Sequence, residues 1–109
     1  MNNQLNLWDF GSGELVEQIQ YTAALNADKD CTLYCAQLEK TQGSILIAGG
    51  SGANELKVFD GDASFNPCSR VYNCSRAVYT SDFNQAGDVF AMGGGDGVVR
   101  VFNIIKGMD

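Results

Sequence analysis

Leu5 and Leu7, Leu56 and Val58, and Val99 and Val101 each stand two residues apart around a polar residue. That period of two is the signature of a strand with one face turned to a core. Each pair belongs to a phrase of one kind: "LNLWD" at 5–9, "LKVFD" at 56–60 and "VRVFN" at 99–103. Ahead of the second and third phrases run "SILIAGG" and "DVFAMGG", short apolar runs that end in glycine and predict two further strands. Between the strands, "FGSGE", "NQAGD" and "GGDG" supply residues that tolerate positive φ. "ELVEQIQY" and "CSRVYNC" suggest a fourth strand after a closing phrase, and Pro67 lies just before the latter, where it leaves a ladder intact.

The phrases belong to a repeat. Residues 33–60 align with residues 78–103 when two single-residue gaps are allowed, and six of the 26 paired positions are identical: Tyr34 with Tyr79, three glycines, and the Val-Phe of the closing phrase. Substitutions keep their physical class, with Leu38 facing Phe83, Ile45 facing Val89 and Lys57 facing Arg100. A truncated third copy opens the chain. Asp9, Asp60 and Asn103 are 51 and 43 residues apart, which places the extra residues in a loop within "YTAALNADKDCT" at 21–32.

Four-stranded antiparallel units recurring at roughly 40–45 residues predict the blades of a propeller. The phrases "LNLWDFGSGELV", "GSGANELKVFD" and "GGGDGVVRVFN" resemble the WD40 repeat, whose third strand closes on Trp-Asp after an Asp-Gly turn. The resemblance implies that Trp8-Asp9, Phe59-Asp60 and Phe102-Asn103 occupy the Trp-Asp positions, and that Asp96-Gly97 is the turn before the strand. Asn54 and Glu55 stand where the earlier copy would carry Asp-Gly, making that turn atypical. With no histidine in the chain, the family's Gly-His dipeptide and its Asp-His-Ser/Thr-Trp network are absent. The expected fold is therefore all-β, a partial β-propeller of WD40-like four-stranded antiparallel blades. Residues 1–20 would end one blade, 33–77 form a full blade and 78–105 most of a further one, with Trp8, Phe59 and Phe102 packed between blades.

Composition narrows the chemistry. At 109 residues and 45% hydrophobic content the chain can fill one packed core. Its net charge of −6 repels a phosphate backbone, so nucleic acid is not an expected partner. No secretion signal and no run of 18 apolar residues is present, which predicts a soluble, non-secreted chain without membrane insertion. The cysteines, Cys31, Cys35, Cys68 and Cys74, follow no usual zinc spacing and are expected to be reduced and structural. Lack of histidine excludes a Ser-His-Asp or Cys-His enzyme in this chain acting alone. Neither catalytic nor cofactor-binding nor metal-binding residues are expected. "DGDAS" at 60–64 lacks the spacing of a calcium loop and reads as a turn.

One competing motif concerns the first 25 residues. "LNLWDFGSGELVEQIQYTAAL" sets a G-x-G turn between a strand and a segment that could be helical, as in a nucleotide-binding (Rossmann-like) oxidoreductase, but Val16 stands where the third glycine would be. The favoured function is a non-catalytic WD40-type scaffold or adaptor for protein–protein interactions in a multi-subunit assembly. A cytoplasmic setting is expected, with a lean to the cytoskeleton or cilium. Arg70, Tyr72 and Arg76 are interface candidates, because aromatics and arginine are enriched at hot spots. Two, four and three strands do not make whole blades, and propellers close with about four to eight blades. The chain thus reads as a C-terminal segment of a longer propeller, or alternatively as a short chain completed by partner subunits.

Overall fold

The structure, a computed structural model, describes residues 4–8, 11–20, 32–51, 54–63, 65–72 and 74–105. Among the described residues nine strands follow one another: β1 (Gln4–Trp8), β2 (Leu15–Gln20), β3 (Thr32–Leu38), β4 (Ile45–Ser51), β5 (Leu56–Asp60), β6 (Asn66–Val71), β7 (Val78–Phe83), β8 (Val89–Gly94) and β9 (Val99–Asn103). A single turn of 3-10 helix at Gly61–Ala63 joins β5 to β6. The strands pair antiparallel in three sheets, ordered β1-β2, β3-β4-β5-β6 and β7-β8-β9. The all-β, repeated-sheet expectation holds.

The G-x-G segment is a correction to the alternative reading. Residues 15–20 form β2, paired back on β1 from Gln4↔Gln20 to Trp8↔Leu15. A hairpin strand there leaves no crossover helix to carry a pyrophosphate. Gly13 takes φ 73°, a turn conformation in which an L side chain is strained. The proposed long loop at 21–32 lies outside the described residues except for Thr32, the first residue of β3.

Each sheet buries its faces against its neighbours, and two clusters result. On one face of the middle sheet Leu46, Ala48 and Phe59 pack with Ile19 of the first sheet. On the other, Ile45, Ile47 and Leu56 pack with Val78, Phe83, Phe90 and Met92 of the third. Phe59, Ile47, Leu56 and Val78 are the largest fully buried side chains. Each such burial is worth about 1.5–3 kcal/mol relative to exposure. β4 is buried from Ile45 to Gly50 because sheets cover both of its faces, whereas β8 alternates buried and half-buried residues because one face is open.

Repeat-equivalent aromatics therefore meet different fates. Phe59 is 1% exposed, Phe102 is half-buried and stacks on Phe90 at 5.2 Å, but Trp8 is 59% exposed. Trp8 is not packed between two sheets among the described residues. Phe59 and Phe102 lie against the preceding sheet, and among the described residues nothing precedes the sheet that carries Trp8.

Candidate functional site

Of the Trp-Asp positions, Asp60 holds a turn. Asp60 is half-buried, and its Oδ1 accepts the Asp62 N–H at 2.9 Å while its carbonyl accepts the Phe65 N–H at 2.8 Å, closing the 3-10 turn. The Asp60–Ala63 part of "DGDAS" is thus a turn held by the Asp60 side chain and carbonyl, and Ser64 lies outside the described residues. Asn103 is exposed, and Asp9 lies outside the described residues. Asp96 accepts the Val98 N–H at 3.0 Å and the Arg100 guanidinium at 3.1 Å. The Val98 N–H foremost, with Arg100 adding to it, holds the Asp96 carboxyl below the usual carboxylate range.

The turn before β5 corrects the sequence assignment by one residue. Gly97 has φ 76° and Asn54 has φ 52°, and each stands two residues before its strand. Asn54 is one of the few side chains that tolerate the left-handed region, so it does the work of the glycine. Ala53-Asn54, not Asn54-Glu55, occupies the Asp-Gly place, with Ala53 outside the described residues. Glu55 is 2% exposed and faces Arg70 at 3.4 Å.

Of the interface candidates, Arg70 and Tyr72 come together and Arg76 does not join them. The Arg70 guanidinium lies 4.3 Å from the Tyr72 ring centroid, a cation–π contact made beside its ion pair with Glu55. Tyr72 is 50% exposed. Arg76 is exposed in the β6–β7 connection, beside Gly95 of the β8–β9 turn.

Two residues that sequence reasoning passed over hold the hairpins. The carboxylate of Glu39, 4% exposed, accepts the N–H groups of Thr41, Gln42 and Ser44 at 2.7–3.0 Å and the Thr41 hydroxyl at 2.6 Å. The Thr41 hydroxyl foremost, and then these N–H groups, lower its pKa to about 2. At the equivalent place in the next repeat, Asn84 Oδ1 accepts the N–H groups of Gly87, Asp88 and Val89 at 2.9–3.2 Å. The signal was a polar acceptor immediately after the apolar end of β3 and of β7, aligned between copies.

A cleft of about 680 Å³ opens between the middle and third sheets. Ile45, Val58, Val71, Phe90, Phe102 and Ile104 make its apolar part, and Asp60, Asp62 and Arg70 its polar part. No three His, Cys, Asp or Glu side chains among the described residues are grouped to hold a metal ion. Cys35, Cys68 and Cys74 are free thiols, and Cys31 lies outside the described residues. Partial burial, and after it Asp60, push the exposed Cys68 thiol upward, away from the reactive thiolate. No helix of the described residues is long and apolar enough to cross a membrane.

No family model and no curated protein matches the sequence. Among solved structures, the chain is similar to the β-propeller domain of Cps50 (Swd1) from Myceliophteria thermophila, with a TM-score of 0.57 at 12% identity. The match covers 95% of this chain and 46% of that one, so the chain spans about half the length of the propeller domain it resembles. At that identity the likeness carries the fold alone. The three sheets are arranged as a segment of a β-propeller.

Proposed function

We propose that the chain is part of a non-catalytic WD40-type scaffold that holds protein partners in a multi-subunit assembly. The observation that carries this reading is the arrangement of the three sheets as a segment of a β-propeller, a fold whose blades hold several surfaces in fixed relation. The hydrogen-bonded polar groups support the reading from the other side. Glu39, Glu55, Asp96 and Asn84 are each spent on backbone N–H groups or an ion pair within the fold.

The assembly we favour is cytoplasmic and of the cytoskeletal or ciliary kind, a reading drawn from the divergent closing phrases and the glycine-rich second strands. Further blades complete the ring, supplied by a longer chain or by partner subunits. The test is purification of the endogenous protein under native conditions, with its subunits and their stoichiometry read by mass spectrometry. Stoichiometric protein subunits are expected. Recovery of the protein alone, at its own mass, overturns the scaffold reading.

A further inference from the structure

Arg76 differs from the other cations of the described residues. Lys40, Arg70 and Arg100 are held by Asp82, Glu55 and Asp96, and Lys57 is buried. Arg76 is exposed, and no ion pair or hydrogen bond engages its guanidinium among the described residues. Its place is fixed all the same. The Gly95 N–H donates to the Ala77 carbonyl at 3.0 Å, tying the β8–β9 turn to the connection that carries Arg76. A Cβ on Gly95 would stand 3.1 Å from the Arg76 Cβ and 3.3 Å from the Tyr79 Cε2, so the bare glycine seats both side chains on one turn.

From Tyr79 the strip continues to Tyr34, whose ring meets it edge to face at 5.2 Å. The two rings lie where β3 of the middle sheet stands against β7 of the third, a seam with both of its sheets present. Tyr34, whose sheet packs on a neighbour at each face, is 51% exposed, and Tyr79 in the third sheet is 54% exposed. Equal exposure in two such settings comes from the strands themselves, each of which skips its tyrosine in the register. Neither hydroxyl has a hydrogen-bond partner among the described residues.

Resting on the scaffold reading, we infer that Tyr34, Tyr79 and Arg76 form one docking strip for a segment of a different polypeptide that carries an Asp or Glu next to an apolar side chain. The carboxylate takes the Arg76 guanidinium, and the apolar side chain lies on the tyrosine rings, whose hydroxyls bond the segment's main chain. Charge selects this occupant. Every polar group that the strip leaves unpaired can donate a hydrogen bond, and the acids nearest along the chain to Tyr79 and Gly95 are already committed, Asp82 to Lys40 and Asp96 to Arg100. A carboxylate is thus matched at this place, although the chain as a whole, at −6, disfavours an acidic surface. The same net charge speaks against a polyanion, because one arginine displaces too few counterions to hold a nucleic acid or an anionic bilayer. Tyrosine and arginine are the residue types that most often anchor protein interfaces.

The test places a photo-crosslinking phenylalanine analogue at either end of the strip, in place of the exposed Ser75 or of Tyr34, in the protein expressed in its source and irradiated under native conditions. Mass spectrometry then reads the residues joined to it. Both placements are expected to join the same segment of a different polypeptide, with an Asp or Glu within about three residues of the crosslink, the reach of an extended segment along the strip. Arg76→Gln should lower the yield from either placement about twofold to fivefold, the size of an exposed ion pair, and Arg76→Lys should restore most of it. Tyr79→Ala should lower the Ser75 yield at least as far.

Absence of crosslinks overturns the site. A joined segment without an acidic residue, or a yield indifferent to Arg76→Gln, overturns it too, because the strip then selects no carboxylate. Crosslinks to another part of this chain or to a second copy of it overturn the assignment to a different polypeptide. Subunits that co-purify although no crosslink forms would leave the scaffold reading standing while the strip falls, and a protein recovered alone removes both.

Discussion

Tyr34 and Tyr79 hold the same place in successive repeats, and their rings meet edge to face with centroids 5.2 Å apart. Each is the extra residue of a β-bulge, skipped in the register between Leu33 and Cys35 and between Val78 and Thr80. A bulge bends its strand and re-aims a side chain, and both tyrosines are about half exposed in consequence, at 51% and 54%. Across from them, Leu33 pairs with Gly50 and Val78 with Gly94. A Cβ on Gly50 would come 1.8 Å from the Thr32 carbonyl oxygen, and one on Gly94 would come 2.3 Å from that of Ala77. Gly50 and Gly94 are required by the bulge that each faces.

Gly50→Ala and Gly94→Ala are accordingly expected to destabilise the fold by about 1–3 kcal/mol or more, because backbone and not a flexible side chain must move. Gly93→Ala has only the Thr80 methyl at 3.5 Å to meet and should cost much less. Urea unfolding of the three variants checks the order. A Gly50→Ala chain as stable as the parent would remove the bulge argument.

Phe59→Ala and Trp8→Ala should separate by several kcal/mol despite their equivalent motif positions. Phe59 is 1% exposed and its loss should cost about 3–5 kcal/mol. Trp8 is 59% exposed in this chain, so its removal should fall within about 0.5 kcal/mol. Thermal unfolding of the two variants is the measurement.

Acid should loosen the first hairpin of the middle sheet before the equivalent hairpin of the third. The Glu39 carboxyl is lowered to about 2 from an ordinary 4.5 by the Thr41 hydroxyl and the turn N–H groups. A depressed carboxylate contributes its stability above the unfolded pKa and loses it as pH falls through the folded one. The contribution is thus complete above about pH 5 and fades between 4.5 and 2. Asn84, holding the other hairpin with an amide oxygen, does not titrate there. Amide exchange at Ser44 and at Val89, followed from pH 5 to 2 and corrected for intrinsic exchange, should show the Ser44 amide losing protection first.

Ser81 offers a stabilising change. Its hydroxyl is buried in β7 without a hydrogen-bond partner among the described residues. A buried group left unpaired costs about 1–3 kcal/mol, so Ser81→Ala should be neutral or stabilising, as read from the midpoint of urea unfolding.

The sequence by itself determined the strands, the repeat and the all-β class, because period-two alternation and glycine-marked turns are local properties of the chain. It placed β1, β5 and β9 through their shared phrase, and aligned Tyr34 with Tyr79 without showing why either was kept. Tertiary structure decided what equivalent residues do. "ILIAGG" and "VFAMGG" read alike, yet β4 is buried on both faces and β8 on one, since burial depends on which sheets stand beside a strand. Trp8 and Phe59 diverge for the same reason. The Asn54 turn and the Glu39 and Asn84 caps were not legible in the sequence. They depend on backbone dihedrals and on groups brought together across the chain, which periodicity does not encode.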